Sequence, residues 1–293
     1  MRVTQGMLAA NSLKQISNSY NKLETLQNQL STGKKITRPS DDPVVATKGM
    51  AYRSNLSEVN QYKRNLTEAQ SWFDSSESGL EQVNSILQRT KELVVQGLNG
   101  TNESDDRQAI AREIEQLKLD YMQVGNTQVA GNYIFNGVNV GAAPISENAS
   151  GMIESNINLD PFSVEVSKGI QLRVNIHPEN IFGQGAFDLM NNVQTAFEQN
   201  DVNSLKDLST QVDTQLSTLL AERSELGARS NRLELIENRL DSQEITATKM
   251  LSNNEDADIE KVITDLTVQE SVHRAALGVG AQIIQPTLLD FLR

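Results

Sequence analysis

Cysteine is absent from all 293 residues, so no disulfide, thiolate nucleophile or cysteine metal site contributes to fold or chemistry. Aromatic residues are scarce as well, at 4% of the chain with a single Trp. A thick core leans on large apolar rings, so helices joined by narrow apolar seams suit this composition better than a compact globule. Long apolar runs are missing: no stretch of about 18 apolar residues offers itself as a membrane span. The opening MRVTQGMLAANSLKQ lacks the apolar core of a cleavable export signal, so membrane insertion is not expected. Positive charge is also in deficit. A formal net charge of −12 opposes general nucleic-acid binding, which needs a basic face against the phosphates.

What is present is periodicity. Val3, Met7, Ala10, Leu13, Ile16, Tyr20, Leu23, Leu26 and Leu30 recur at spacings of three and four, one stripe of a helix, with Lys14, Asn18 and Lys22 off it. The far end carries a matching stripe, Ile259, Val262, Leu266, Gln269, Val272, Ala276, Val279 and Ile283, broken by Pro286 before Leu288, Leu289, Phe291 and Leu292. Neither stripe can bury itself, so each needs a partner. Residues 1–40 hold six Lys or Arg against one acid, and residues 251–293 hold three against seven acids, net +5 and −4. Opposite signs favour pairing of the two ends as antiparallel helices, although exposed ion pairs give only about 0–1 kcal/mol each. The apolar seams therefore carry the expectation.

Between the ends, Leu56, Val59, Leu66, Ala69, Phe73, Leu80, Val83 and Leu87 predict a helix running to about Gly97. Ile110, Ile114, Leu117, Tyr121 and Val124 predict a shorter one, and a third stripe runs from Val202 to Leu240. A helix of ~50 residues is ~75 Å long, which bundle or coiled-coil packing accommodates. The period changes near 131. GNYIFNG at 131–137 is a short apolar run between glycines, and Phe162, Val164, Val166 then Ile170, Leu172, Val174, Ile176 alternate as strands, with Lys168-Gly169 placed to turn one into the next. The pattern predicts a mainly α fold, an elongated antiparallel helical bundle or coiled coil with a small central β domain. Its parts are terminal assembly segments at 1–45 and 251–293, a helical rod at 46–137 and 185–250, and a β insert at 138–184.

Candidate chemistry is thin. Asp41-Asp42 precede Pro43, where Ser40 or an Asp is better placed to cap a helix start than to act as an acid. NNEDADIE at 253–260 lacks the central Gly and final Glu of a calcium loop, and reads as a polar loop with acids at a helix start. His177 and His273 are the only histidines, and neither has ligand-type neighbours in sequence. Glycines at 97, 100, 131, 137 and 141 form no phosphate loop. Lys34, Lys35 and Arg38 suggest contact with an acidic neighbouring subunit, and Trp72-Phe73 a packing anchor. No enzyme, cofactor or metal is expected.

LQNQLSTGKKITRPSDDPVVATKGM at 26–50 resembles the N-terminal signature of the flagellin superfamily, with Gly33, Ile36, Arg38, Pro39, Asp41, Asp42 and Pro43 at the motif and hinge positions. GNYIFNG resembles the segment preceding the outer domain, and Asp256-Ala257-Asp258 and PTLLDFL fit the C-terminal end. The proline-rich stretch at 38–43 and Asp290-Phe291 are more similar to the branch that joins hook to filament than to filament flagellin, which stays the alternative beside an extracellular adhesion module. The resemblance implies a flagellin-like fold and a structural adaptor that self-associates into a ring or tube layer. It also implies the first hook-associated protein and flagellin as axial neighbours, a flagellar export chaperone, and an extracellular place at the hook–filament junction reached without a cleaved signal peptide. The assembly seam it implies is Val3, Met7, Leu13, Ile16, Tyr20, Leu23, Leu30, Ile259, Val262, Leu266, Val272, Val279, Ile283, Leu289 and Phe291.

Overall fold

The computed structural model describes residues 5–98, 104–148 and 152–284. Seven helices and six short strands follow in the order α1 (Gln5–Thr32), α2 (Pro43–Leu98), α3 (Ser104–Gly125), β1 (Gln128–Val129), β2 (Asn132–Tyr133), β3 (Ile145–Glu147), β4 (Ile153–Ser155), β5 (Ser163–Ser167), β6 (Ile170–Arg173), α4 (Pro178–Phe182), α5 (Gln184–Glu198), α6 (Val202–Glu255) and α7 (Ile259–Ile284). The fold is mainly α with a small central β region, as the periodicities predict. At 1.5 Å per residue α2 and α6 are each ~80 Å long. Among the described residues no helix is long and apolar enough to cross a membrane.

The chain forms two compact units, one of residues 59–242 and one of residues 1–58 with 243–293. In the first, α2 and α6 run antiparallel, tied by Lys63–Asp241 at 2.8 Å, Arg223–Glu77, and Lys91–Asp213 at 2.6 Å. These pairs are partly solvated and each adds little. Burial does more. Leu93 and Val94 of α2, Ile114 of α3, Val193 and Phe197 of α5 and Leu205 and Val212 of α6 form one apolar layer of four helices. A second, larger core joins Leu66, Trp72, Leu80 and Leu87 of α2 to Leu219, Leu226, Leu233 and Leu240 of α6, and continues into the β region.

The β region consists of three antiparallel two-stranded ribbons, β1–β2, β3–β4 and β5–β6, the last turned at Lys168-Gly169 with an irregularity between Glu165 and Ser167. Two-stranded ribbons are marginal alone, so each must lean on a neighbour. Ile145, Ile153, Val166 and Leu172 supply the buried face. Trp72 stacks on Phe162 at 5.0 Å between ring centroids, the packing role expected of it. Phe135, Phe182, Tyr121 and Phe187 form a connected ring cluster with centroids 4.7–5.4 Å apart. The Tyr121 hydroxyl donates to the Ile181 carbonyl at 2.5 Å, and complete burial raises its pKa well above the ordinary phenol value.

A short helix, α4, falls inside the β insert expected at 138–184, and α5 starts at Gln184, one residue before the rod expected from 185. Ile181 and Phe182 of α4 are fully enclosed, and five residues are too few to show a helical period in sequence. Phe182→Ala is expected to lower unfolding free energy by about 3–5 kcal/mol, because it empties the middle of the ring cluster. Leu235→Ala, at a position 71% exposed, should change it by less than about 0.5 kcal/mol in the same denaturant titration.

Candidate assembly site at the paired terminal helices

α1 and α7 pack antiparallel, through faces whose spacing runs mainly at four and three residues. On α1 the shielded positions are Ser12, Ile16, Ser19, Leu23 and Leu26; on α7 they are Val262, Leu266, Gln269, His273, Ala276 and Gly280. This is a coiled-coil spacing with unusually small and polar contents. Only Ser19, Val262 and Gly280 are fully buried. Gln269 Nε2 donates to Ser19 Oγ at 2.9 Å, His273 Nδ1 lies 3.2 Å from the same oxygen, and the Tyr20 and His273 rings stand 6.3 Å apart. A Cβ at Gly280 would stand 3.0 Å from Ile16 Cδ1, so the helices approach closely there.

The expected assembly seam divides between two surfaces. Ile16, Leu23, Val262 and Leu266 face the partner helix. Met7, Leu13, Tyr20, Leu30, Ile259, Val272 and Val279 are exposed, Leu13 at 58% and Tyr20 at 63%. Leu8, Ile263, Val268 and Leu277 join that outward apolar set and were not singled out by the sequence pattern. Val3, Leu289, Phe291 and the side chain of Ile283 lie outside the described residues. The two stripes thus do not simply cover one another. Apolar residues on α1 and α7 occupy more than one face, and the face used within the subunit is the smaller, more polar one.

At the other end of the pair the loop after α1 meets the α6–α7 junction in a clasp. Gly33, at φ 69°, ends α1 in the left-handed conformation, and its N–H bonds to the Gln29 carbonyl at 2.9 Å. The chain then runs antiparallel to residues 255–257: Lys35 N–H donates to the Glu255 carbonyl at 2.6 Å and Ala257 N–H to the Gly33 carbonyl at 2.8 Å. Side chains close the junction. Lys34 Nζ lies 2.7 Å from Asp256 and 3.7 Å from Glu255, Lys35 Nζ donates to the Asn253 carbonyl at 2.6 Å, and Asn254 Nδ2 to the Val45 carbonyl at 2.9 Å. Glu255 is buried, and one carboxylate oxygen takes two hydrogen bonds from Arg53, at 2.9 and 2.7 Å. Gly49 makes room for it: a Cβ there would stand 2.2 Å from Glu255 Oε1.

These contacts give the basic loop a role within its own chain. Within the subunit, Lys34 and Lys35 are held by an acid and a carbonyl of their own chain, 222 and 218 residues away, while keeping part of their surface exposed. Asp42 caps α2, its Oδ1 accepting from Val44 N–H at 2.9 Å and Val45 N–H at 3.1 Å, with Pro43 at the first helical position. Asp41 folds the loop back on itself by accepting from the Arg38 and Thr37 amides at 2.9 and 3.1 Å, and those bonds hold its carboxyl below the usual range. Arg38 and Pro39 are exposed, and Ile36 is half-buried.

One cluster escaped the sequence reading altogether. His177 does have ligand-type neighbours in space: one of its ring nitrogens and one carboxylate oxygen each of Glu222 and Glu225 lie within 4.8 Å of one another. Guanidinium groups already fill the surroundings. Arg173 Nη1 lies 2.8 Å from His177 Nε2, Arg229 bonds to Glu225, and Asn180 Nδ2 donates to Glu222 at 2.7 Å. The cluster fastens the segment between β6 and α4 to α6 rather than presenting an open coordination position.

Two measurements test the clasp. Gly49→Ala and Glu255→Gln should each speed amide exchange at Lys35 and Ala257, and the double variant should match the worse single one, because both act on one carboxylate. The Asp256 carboxyl is held below its ordinary 3.8, first by the Lys34 ammonium and then by the Ser252 hydroxyl. Its stabilising contribution is therefore complete above that value and is lost as pH falls through the lower folded value. An NMR titration of the Ala257 amide should show this acid-side loss, and Asp256→Asn should remove it.

Comparison with known proteins places this geometry. The bacterial flagellin N-terminal helical region matches residues 3–140, and the bacterial flagellin C-terminal helical region matches residues 209–292. The flagellar hook-associated protein 3 of Salmonella typhimurium is 26% identical over 300 residues, covering 94% of this chain and 95% of that one. The flagellin of Bacillus subtilis is 24% identical over 312 residues, covering both chains completely. The crystal structure of Bacillus cereus FlgL superposes with a TM-score of 0.60 at 22% identity, covering 69% of this chain and 99% of that one, which establishes the shared fold. Helical signatures in order at both ends, α1 paired to α7, and a β region between long helices make this chain a member of the bacterial flagellin superfamily, with hook-associated protein 3 among its relatives.

Proposed function

We propose that the chain is a structural, non-enzymatic component of the bacterial flagellum that joins the hook-associated zone to the flagellin filament as an adaptor layer. The observation that carries the mechanism is the outward apolar face of the α1–α7 pair. Leu13, Tyr20, Val268 and Val272 stay about half exposed or more in the lone subunit, although the pair has a partner-facing side of its own. Residues of this kind gain about 1–3 kcal/mol each when fully buried, and identical subunits packed around an axis supply the cover. Helix ordering and assembly then reinforce each other, since a single 28-residue helix with a thin seam has little to offset its chain entropy.

The working environment is extracellular, on the flagellum, and the subunit acts within a self-associated layer. The first hook-associated protein and flagellin serve as its axial neighbours, and a flagellar export chaperone assists it in the cytoplasm before export. The terminal segments form the inner contacts, the α2–α6 region the rod, and the β region an outer module. The second reading is filament flagellin, supported by the full-length match to the Bacillus subtilis protein.

Leu13→Asp with Val272→Asp should leave the isolated subunit folded, because both side chains are solvent-facing, yet abolish incorporation into flagella. Normal incorporation of this variant would overturn the mechanism. Labelled protein in intact flagella should mark a narrow band at the hook end; label along the whole filament would select the flagellin reading instead.

A further inference from the structure

One layer of the α1–α7 seam is polar while the positions around it are aliphatic or small. Ser19 is buried, and its hydroxyl receives Gln269 Nε2 at 2.9 Å and lies 3.2 Å from His273 Nδ1; Gln269 also reaches the Ser19 carbonyl at 3.4 Å. With Ser19 level with 269–273, antiparallel geometry sets Ile16 level with Ala276, Leu23 with Gln269, Leu26 with Leu266, and Leu30 with Val262. A seam of small and aliphatic side chains repeating every seven residues discriminates poorly between alignments one heptad apart, because each slip returns similar groups to the same stripe. The polar layer breaks that equivalence. Slipping α7 by seven residues one way sets Gln269 and His273 beside Ile16 and Ser12; the other way sets them beside Leu30 and Leu26. In both cases Ser19 faces groups that offer its hydroxyl no side-chain partner: Val262 and Leu266, or Ala276 and Gly280.

We infer that Ser19, Gln269 and His273 are a register key of the terminal helix pair, holding α1 and α7 along their length to the one alignment that the clasp at residues 33–35 and 255–257 begins, at a cost in seam stability. The consequence for assembly rests on the proposed function. Leu13 and Tyr20 on α1 and Val268, Val272 and Val279 on α7 are presented outward from two different helices, and a one-heptad slip would displace one set against the other by ~10.5 Å. A neighbour shaped to one arrangement would not fit the other.

The cysteine-free sequence makes the register measurable in the full-length subunit with a short bis-thiol crosslinker. Ile16→Cys with Ala276→Cys, and Leu30→Cys with Val262→Cys, report the native alignment. Leu23→Cys with Ala276→Cys, and Leu23→Cys with Val262→Cys, report the two slips. With the layer intact the native pairs should dominate. In a Ser19→Ala, Gln269→Leu, His273→Leu background the ratio of slipped to native crosslinks should rise roughly tenfold, the factor that one unsatisfied buried polar group imposes. An unchanged ratio, or loss of all four crosslinks, would overturn the inference: the layer would then be neutral or simply stabilising. Slipped crosslinks in subunits that still enter flagella would uphold the register key and count against the outward face as the assembly surface.

Discussion

Two backbone hydrogen bonds between segments more than 200 residues apart, Lys35 to Glu255 and Ala257 to Gly33, fix where the two ends of the chain begin to run side by side. Each is worth only about a kilocalorie per mole in isolation. Their importance is geometric: they sit where α1 has just ended and α7 is about to start, so they align two helices that otherwise share only a thin seam. Around them Lys34, Arg53, Glu255 and Asp256 neutralise one another, and Glu255 is admitted between helices because Gly49 carries no side chain. Removing one partner would leave a buried carboxylate uncompensated, which is a larger penalty than the net value of the pair.

The opposite charges of the two terminal segments take on a more specific meaning in this setting. Long complementary helix faces would be screened within about 8–10 Å at physiological ionic strength. Concentrating the interaction at one partly buried junction preserves more of it. Lys34 meets Glu255 and Asp256 there, whereas the Arg274–Glu270 pair of α7 lies within that helix and does nothing to choose a partner. The clasp sets the alignment where the pair begins, and the polar layer at Ser19 adds a second fixed point farther along it.

Much of the fold was legible because long stripes leave little ambiguity. The run from Val202 to Leu240 predicts most of α6, Asp42 and Pro43 mark the start of α2, and Lys168-Gly169 marks the β5–β6 turn, all from local rules. The site was legible only in part. Leu13 and Tyr20 fall on the same apolar stripe as Ile16 and Leu23, and periodicity alone cannot divide a broad stripe into a face for its own chain and a face for a neighbour. Ser19 and His273 look like interruptions in an apolar pattern when they are in fact its fixed point. His177 with Glu222 and Glu225, and Lys34 with Asp256, join residues from distant parts of the chain, so no spacing rule could reveal them.

The terminal pair keeps its smaller and more polar face for itself and turns outward residues such as Leu13, Tyr20, Val268 and Val272. A monomeric helical hairpin selected for its own stability would do the reverse, since buried aliphatic area is the main source of such stability. An all-aliphatic inner seam would also stabilise slipped alignments and make the pair self-sufficient before neighbours arrive. A seam with few large side chains and one polar layer does neither. It leaves the pair weakly stable in one alignment, with most of its apolar area available to other subunits, so the free energy that orders the ends of the chain is released chiefly when the layer assembles.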